Sequence, residues 1–446
     1  MYPPFSDGGY PLECKEVVDE LRQRGHSILV LTSSKDRGGE RVIQKQDDVW
    51  RIFDYCPDNK RNELPGTNLK SIWRWFKREL EQHGLVKKAL DSFAPQIIYV
   101  WATKGLSYSI AIRLAHENLP FVAHVSGYWL IDHNGAAQRR RQYVFWHWGT
   151  AHGAVGRVKA LLRCMLEKRI PLDYEPLVFD NIAFTSKSIE AEHNGPAVAR
   201  AKPQRIYPGI PVGRFLDLPL PNLDRPRRIL FVGRLHPSKD PLTLIRACKL
   251  LQQKEETEDM SLTLVGWRHD PDYVRQLEAC IDAAAKPANI RLVDPVSFEQ
   301  MPAVFAEHQI LVLPSLVEPF GRVAAEGAAA GLVTIISDRA GISECLADRR
   351  HALIFSAGDV MSLTDCLAQI ALNSQLAQHL QREGRRLARH FFSTTRMVDE
   401  IEAFLVSSVE RTTAYDQHSH RTEPGQAGPS GGSAGGPPST SRDASI

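Results

Sequence analysis

Two glutamates flank a predicted turn in the second half of the chain, Glu318 before it and Glu326 one helical turn after it. The apolar run 310–313 predicts a buried parallel strand, and the Ala-rich stretch 322–330 predicts a helix. Free N–H groups at a helix start hold anions or sugar oxygens. Carboxylates accept hydrogen bonds from hydroxyl groups. This mixture fits a ligand that carries both phosphates and hydroxyl groups, and a nucleotide sugar is such a ligand.

Two cations follow an earlier predicted strand, Arg228 to Val232. That strand delivers Gly233 and Arg234 to its carboxyl end, where open α/β sheets bind ligands, and Lys239 follows in the same loop. Arg234 could bind a diphosphate bidentately and Lys239 could add a point charge. The alternative is a solvated loop with surface charges. The two glutamates downstream favour a ligand site.

Strand and helix patterns alternate along the chain, which predicts two successive doubly wound α/β domains with parallel strands. The tail is rich in Gly, Pro and Ser and too poor in apolar residues to bury a core, so we expect it to be disordered. The predicted divisions are a first, acceptor-side domain 1–207, a linker 208–226, a second domain 227–392, a C-terminal helix 393–412 and a disordered tail 413–446.

The start of the chain departs from this pattern. Residues 2–9 resemble a Gly-rich loop, and 12–25 the helix after it. In a doubly wound sheet such a loop follows a first strand, and no residues are left to form that strand. Two explanations stay open: a truncated or misassigned start, or a first domain that lacks its central strand.

Composition excludes several classes of protein. The chain has 446 residues, 43% of them hydrophobic, and a net charge of +3, which argues against nucleic-acid binding as a main role. It has no run of about 18 apolar residues and no signal-peptide pattern at its start. The seven scattered cysteines indicate free thiols in a reducing compartment. We therefore expect a cytoplasmic protein.

Metal binding has little support in the sequence. No clustered Cys and His spacing suggests a metal site. Asp270-Pro-Asp272 resembles an Asp-x-Asp metal motif, but its position before a predicted helix favours an N-cap. Two basic-aromatic stretches, 73–78 and 139–146, fit peripheral contact with the inner membrane face or a lipid-linked acceptor. They fit equally well helices that bury the aromatics and solvate the charges.

Together, several motifs of the second half resemble the nucleotide-sugar-binding domain of retaining glycosyltransferase family 4. The resemblance rests on Val232-Gly-Arg234 with Lys239, Leu264-Val-Gly266, Leu313-Pro-Ser315, Glu318-Pro-Phe-Gly321 with Glu326, and Ala340-Gly-Ile-Ser-Glu344. It extends from about residue 2 to about residue 410 and is weaker in the first half. It implies the GT-B fold, two Rossmann-like domains around a cleft. It also implies a hexosyltransferase that uses a nucleotide diphosphate sugar, with neither cofactor nor metal.

The resemblance also implies roles for individual residues. Glu326 would hold the ribose, Arg234 and Lys239 the diphosphate, and Glu318 the donor sugar. His124, at the end of a first-half strand, would contact the sugar near the reaction centre; the alternative is a structural histidine. The full implied donor-binding set is Gly8, Gly9, Gly233, Arg234, Lys239, Gly266, Trp267, Glu318, Phe320, Gly321, Arg322, Val323 and Glu326, and the implied catalytic set is Glu318, His124, Arg234 and Lys239.

Other readings remain at this point. Trp267 could lie against the nucleotide, or it could be a partly buried aromatic. The chain could be another GT-B nucleotide-sugar enzyme, such as an epimerase or a phosphorylase, or a catalytically silent binding protein. The acceptor could be a saccharide, a lipid-linked molecule or a small molecule, because fold does not give function.

Overall fold

The structure is a computed structural model that describes residues 2–3, 8–34, 44–46, 48–54, 69–103, 106–134, 177–193, 198–268 and 270–419. The basic-aromatic stretch 139–146 lies outside these ranges. The elements of the first half are α1 (Gly9–Gln23), β1 (Val30–Ser33), β2 (Gln44–Gln46), β3 (Val49–Phe53), α2 (Leu69–Phe93), β4 (Ile98–Val100), α3 (Tyr108–Ala115), β5 (Phe121–Val125), α4 (Trp129–Asn134), β6 (Asn181–Phe184), α5 (Lys187–Glu192) and β7 (Gln204–Arg205).

The strands of the first half form two separate sheets. One has the order β1-β3-β2, and the other is parallel with the order β4-β5-β6-β7. Strands β1 and β4 are therefore edge strands. Among the described residues no strand precedes α1. Helix α1 begins at Gly9, earlier than expected, because the N–H of Leu12 donates to the Gly8 carbonyl at 3.2 Å and closes the first turn.

The second half forms one parallel sheet with the order β10-β9-β8-β11-β12-β13. Its elements, after the short helix α6 (Gly213–Leu216), are β8 (Arg228–Val232), α7 (Pro241–Leu251), β9 (Ser261–Val265), α8 (Pro271–Asp282), β10 (Ile290–Val293), α9 (Met301–Ala306), β11 (Ile310–Leu313), α10 (Arg322–Ala329), β12 (Val333–Ser337), β13 (Leu353–Phe355), α11 (Val360–Leu372), α12 (Ser374–Phe391) and α13 (Thr394–Ser419). Strand order reverses between β8 and β11, and ligands bind in such sheets beyond the carboxyl ends of the strands at that point.

Alternate residues of the central strands enter two different cores. In β11, Ile310 and Val312 pack into one apolar cluster, and Leu311 and Leu313 pack into the other. All four are buried, as a strand covered by helices on both faces requires. The two-domain, doubly wound α/β class predicted from the sequence is therefore confirmed.

The C-terminal helix returns to the first half. The chain crosses between the halves twice, once near Ile210 and once near Phe392. The two crossing segments lie side by side, because the N–H of Ile210 donates to the Phe392 carbonyl at 2.7 Å. Beyond the crossing, Met397 and Ile401 of α13 pack with Val17 of α1 in one core cluster. Thus α13 covers a face of the first domain.

The predicted start of disorder at residue 413 is wrong for residues 413–419, because α13 continues to Ser419. The physical reason is visible in the sequence, which has no proline or glycine from Thr394 until Pro424 and so contains no residue that would end a helix at 412. Within the described part of the chain, no helix is long and apolar enough to cross a membrane.

Candidate functional site

Backbone contact between the loops after β8 and β9 forms the base of the candidate site. The Gly233 N–H donates to the Val265 carbonyl at 3.0 Å. A Cβ on Gly266 would lie 1.7 Å from the Gly233 carbonyl oxygen, so only glycine fits at position 266. The two loops therefore meet beside the β8–β11 pair at which strand order reverses, and the carboxyl ends of their strands open on one edge of the sheet.

Lys239 and Glu318 meet across this edge. The Lys239 Nζ atom lies 2.5 Å from Glu318 Oε2, and the Ser315 hydroxyl lies 3.3 Å from the same oxygen. Both charged side chains are 14% exposed, so solvent still reaches the pair. The Val317 N–H donates to the Ser238 carbonyl at 3.2 Å and holds the two loops together. The predicted cation and the predicted sugar-binding carboxylate are thus neighbours.

Helix α10 starts directly after this loop at Gly321. That glycine has a φ of +108°, and a Cβ there would lie 2.6 Å from a methyl group of Leu313. No side chain caps the helix start. Gly327, further along, allows α10 to lie close to β11, since a Cβ there would meet Leu311 at 2.5 Å. The start of α10 therefore presents its free N–H groups to the edge of the sheet, as an anion site requires.

Arg322, the first residue of α10, connects the second domain to the first. Its Nη1 donates to the Gly9 carbonyl at 2.8 Å, and its Nη2 donates to Glu16 Oε2 at 2.6 Å. Glu13 and Glu326 also act electrostatically on this guanidinium. Burial by itself would lower the pKa of Arg322, but the charges of Glu16, Glu13 and Glu326 outweigh it and raise that pKa. The sequence pattern had marked Arg322 and Gly9 as donor-binding residues without linking them.

The carboxyls around Arg322 are deeply buried. Glu326 is 8% exposed and Glu13 is 2% exposed. Burial raises the pKa of each to about 7; Arg322 opposes the shift and Glu16 adds to it. Burial also raises the pKa of Glu16, against the lowering effect of Arg322. Near neutral pH, Glu13 and Glu326 are therefore partly protonated, whereas ordinary surface carboxylates are ionised.

His124 lies beside Glu13 in the first domain. Its Nε2 is 3.7 Å from Glu13 Oε1, its ring stacks on Trp101 with centroids 4.7 Å apart, and burial lowers its pKa to about 3. The Tyr10 hydroxyl donates towards the carbonyl of His124 at 2.9 Å. Within the described residues, neither ring nitrogen of His124 has a hydrogen-bond partner. The side chain is fully buried, and both interpretations of His124, contact with the sugar and a structural histidine, stay predictions.

Other predicted donor-binding residues lie nearer solvent. Arg234 is exposed, and Trp267 is 48% exposed, with its carbonyl accepting a hydrogen bond from the Leu235 N–H at 3.0 Å. Gly8 is also exposed, at the N-terminus of α1. Phe320 is buried and stacks obliquely on Tyr207, while Val323 is half-buried. Arg234 and Trp267 are accessible to a ligand at this edge.

Sequence reasoning missed several polar residues of the site. Glu13, Glu16 and Tyr10 belong to α1, and Arg214 acts on the charges of Glu16 and Glu326 from the short helix α6. Tyr128 of the first domain has a raised pKa because of burial and the charges of Glu192 and Glu318. A carboxylate among the apolar positions of α1 was the available signal for Glu13.

The Asp270-Pro-Asp272 sequence is a helix cap. The Asp270 side chain accepts hydrogen bonds from the N–H groups of Asp272 and Tyr273 at 3.0 and 3.1 Å. In the described ranges, no three His, Cys, Asp or Glu side chains come together as a metal site would require.

Comparison with known proteins agrees with this geometry. Residues 219–387 match the sequence profile of the family Glycosyl transferases group 1. The chain is 24% identical over 228 residues to a D-inositol 3-phosphate glycosyltransferase of Salinispora tropica, and that match spans about half of each chain, 47%. It is 28% identical over 343 residues to the enzyme of the same name from Streptomyces avermitilis, covering 69% of this chain and 68% of the relative.

Solved structures show the same architecture. The sucrose-phosphate synthase of Thermosynechococcus elongatus superposes with a TM-score of 0.64 at 18% identity, covering 90% of this chain and 93% of the other. Anabaena HepE in complex with UDP-glucose superposes with a TM-score of 0.60 at 15% identity, covering 90% and 97%. The predicted GT-B fold is confirmed, and residues 219–387 match the group 1 glycosyltransferase profile.

Substituting Gly266 tests the contact between the two loops. Gly266→Ala places a methyl group against the Gly233 carbonyl, so we expect a loss of about 3 kcal/mol or more, the upper end of overpacking costs. Gly213→Ala is the matched control, because a Cβ at position 213 meets nothing within 4 Å. Chemical denaturation of both variants measures the difference. Equal stability of the two variants would contradict the close approach.

Glu13→Gln tests the buried carboxyl. The folded protein raises the pKa of Glu13 from 4.5 to about 7, so it binds more protons there than the unfolded chain, and the contribution of Glu13 to stability falls as pH rises through this window. The variant should therefore be more stable than wild type, and its advantage should grow by about 1–2 kcal/mol between about pH 5.5 and about pH 8.

Urea titration at both pH values measures this difference in the free energy of unfolding. Asp19→Asn on the same helix is the control, because Asp19 is 42% exposed and has an exposed lysine partner. That control should change stability by less than about 0.5 kcal/mol at either pH. A pH-independent effect of Glu13→Gln would show that Glu13 keeps an ordinary pKa.

Proposed function

We propose that the protein is a retaining, metal-independent glycosyltransferase of family 4 that moves a sugar from a nucleotide diphosphate sugar to an acceptor hydroxyl. The observation that carries the proposal is the edge between β8 and β11. There Lys239 and Glu318 form a half-buried ion pair, Arg234 faces solvent, and the uncapped start of α10 lies one turn before Glu326. Positive charge for phosphates and carboxylates for hydroxyl groups therefore lie within one short stretch.

The diphosphate is the group that the cations of this edge suit best. When the bond between the anomeric carbon and the phosphate oxygen breaks, negative charge develops on the departing diphosphate. Arg234, Lys239 and the free N–H groups of α10 stabilise that charge without reorganising, and a donor so placed is typically worth about 2.7–4 kcal/mol of barrier. Because fixed cations and amides supply this stabilisation, the proposed reaction requires no divalent ion.

Glu326 and Glu318 bind the ribose and the sugar of the donor, respectively. Glu326, buried one turn into α10, accepts hydrogen bonds from the ribose hydroxyls. Glu318, with the backbone of Phe320 and Gly321, accepts hydrogen bonds from the donor sugar. Lys239 then bridges the sugar end and the phosphate end, because its ammonium already contacts Glu318.

The first domain brings the acceptor and His124 to the sugar. The acceptor oxygen forms a bond to the anomeric carbon on the face from which the diphosphate leaves, so the configuration is retained. The acceptor proton passes to the leaving phosphate oxygen, which balances the charge. His124, held neutral at physiological pH by its burial, offers uncharged nitrogens for a hydrogen bond with a sugar hydroxyl.

Donor binding is tested with two variants and one control. Glu326→Ala and Arg234→Ala each remove a charge-assisted hydrogen bond, typically worth about 1.5–3 kcal/mol, so nucleotide affinity should fall at least about 10-fold in each. Arg275→Ala is the control, because Arg275 is 69% exposed and pairs only with its neighbour on α8 in the described structure. Calorimetric titration with UDP, GDP and ADP measures the affinities. Unchanged nucleotide affinity in both variants would contradict the assignment of Glu326 and Arg234 to donor binding.

Proton release on donor binding tests the role of Glu326 directly. Its pKa is about 7 in the protein, so most of the carboxyl is protonated at about pH 6. Ribose hydroxyls donate to the charged form and lower that pKa. Donor binding at about pH 6 should therefore release close to one proton, and affinity should rise towards about pH 8.

The measurement is calorimetry of a nucleotide sugar in buffers of different ionisation enthalpy. A nucleotide sugar serves better than a free nucleotide, because its diphosphate has no terminal phosphate that titrates in this range. Glu326→Gln is the matched control and should remove the proton release. Release that persists in the Gln variant would assign the proton to another group.

Turnover decides between the proposal and its alternatives. A panel of nucleotide sugars is incubated with phosphorylated polyols and sugars, because relatives such as the D-inositol 3-phosphate glycosyltransferases carry such acceptors in their names. Transfer with retained configuration supports the proposal. Epimerised donor without an acceptor would indicate an epimerase instead, and nucleotide binding without transfer or hydrolysis would indicate a silent binding protein.

A further inference from the structure

The guanidinium of Arg322 connects the two domains. Arg322 donates to the Gly9 carbonyl at 2.8 Å and to Glu16 Oε2 at 2.6 Å. These partners lie 313 and 306 positions away along the chain. The Arg322 side chain is 10% exposed and that of Glu16 is 18% exposed. The contact is therefore a nearly dry ion pair formed only when the domains meet.

Because of the surrounding charges, removing only one member of the Arg322–Glu16 pair is destabilising. The charge of Arg322 interacts with those of Glu13 and Glu326 as well as with that of Glu16. Within the described ranges, two atoms of the pair, Arg322 Nε and Glu16 Oε1, have no hydrogen-bond partner. Removing one member of a buried pair leaves the other as an uncompensated buried charge. The remaining charge recovers its hydration most easily if the domains move apart.

A second polar contact, made by Glu344, also joins the two domains. The Glu344 carboxylate, in the loop after β12, accepts hydrogen bonds from the N–H groups of Lys187 and Ser188 at 2.9 and 3.1 Å. These amides begin α5 in the first domain. Among the described contacts, Arg322 and Glu344 each form a polar bridge between the domains, and losing the Arg322 contact leaves that of Glu344 in place.

We propose that Glu16 and Arg322 form an interdomain latch whose closure sets the first loop and helix α10 in the arrangement needed for sugar transfer. The inference rests on the proposed function. Both are positioning residues, since the Arg322 side chain is committed to Gly9 and Glu16. The latch fixes Gly9, at the start of α1, against the first residue of the helix that carries Glu326.

This assignment separates nucleotide affinity from transfer. The residues proposed to bind the nucleotide, Arg234, Lys239 and Glu326, all belong to the second domain, so an open protein still holds them in place. Transfer needs the first domain over the sugar. Breaking the latch through Glu16, which leaves Arg322 beside Glu326, should therefore lower kcat and leave nucleotide affinity nearly unchanged, which general loss of structure would not do.

The experiment uses the full chain with Glu16→Gln, Arg322→Ala and the reversed pair E16R/R322E. Lys15→Ala is the matched control, because Lys15 lies on the same helix and its ion pair with Asp19 is exposed, 46% and 42%. Small-angle X-ray scattering reports the separation of the domains, and circular dichroism verifies folding. Titration with UDP or GDP and steady-state hydrolysis of the nucleotide sugar complete the set.

We expect both single variants to show a larger radius of gyration than wild type and at least about 10-fold lower kcat. Nucleotide affinity should change less than about 3-fold in Glu16→Gln, whereas in Arg322→Ala it should also fall, because Arg322 no longer opposes the protonation of Glu326. The reversed pair should recover part of the compaction and of kcat, and Lys15→Ala should match wild type. Folded single variants with unchanged scattering would overturn the latch, as would a reversed pair no better than either single variant.

The latch and the proposed function fail in different ways. If wild type binds nucleotide but turns over no nucleotide sugar, while Arg322→Ala still expands the particle, the latch stands and the enzymatic proposal falls. If wild type transfers sugar and Arg322→Ala transfers it equally well with the same scattering, the proposed function stands and the latch falls.

Discussion

Charges removed from water must be compensated, and this constraint governs how the two halves of the molecule meet. Arg322 is nearly buried at the interface, and its nearest carboxyls come from both domains, Glu13 and Glu16 from α1 and Glu326 from its own helix. One cation cannot neutralise three carboxylates, so burial raises the pKa values of Glu13 and Glu326 to about 7. The interface therefore joins the two domains and also holds carboxyl groups that titrate near neutral pH.

The second domain supplies rigidity for this arrangement. Its parallel sheet is covered on both faces, and glycines at 266, 321 and 327 occur where backbone or neighbouring side chains come closer than a side chain allows. These close approaches hold the loops after β8, β9 and β11 in fixed relation. A site that must aim cations at a developing charge gains from such rigidity, because its groups need not reorganise during the reaction.

The first domain is built differently. Its described strands form two sheets whose edges, β1 and β4, are not joined, and its polar residues gather on α1 and at the ends of β4 and β5. It is fastened to the second domain by Arg322, by Glu344 and by the packing of α13 on α1. A rigid second domain and a first domain attached through a few polar bridges suit the proposed glycosyltransferase, which would open to release its products.

Much of the fold could be predicted from sequence because its signals are local. The buried strand at 310–313, the turn at Gly321 and the helix after it follow from apolar periodicity and turn chemistry within about twenty residues. The predicted end of α13 at residue 412 was wrong because a change in composition was taken for a helix end, although no proline or glycine stands there. Arg234, Lys239, Glu318 and Glu326 were also readable, because each follows a strand whose carboxyl end must reach the same edge.

By itself, then, the sequence determined which residue types stand after which strands, and so the donor half of the candidate site, because strand-end geometry is short-range. Only the tertiary structure decided which charges meet. Arg322 was readable as the first residue of a helix, but its partners Gly9 and Glu16 are more than three hundred positions away, and no periodicity links such residues. The burial that shifts Glu13, His124 and Glu326 likewise comes from packing between elements that are far apart along the chain.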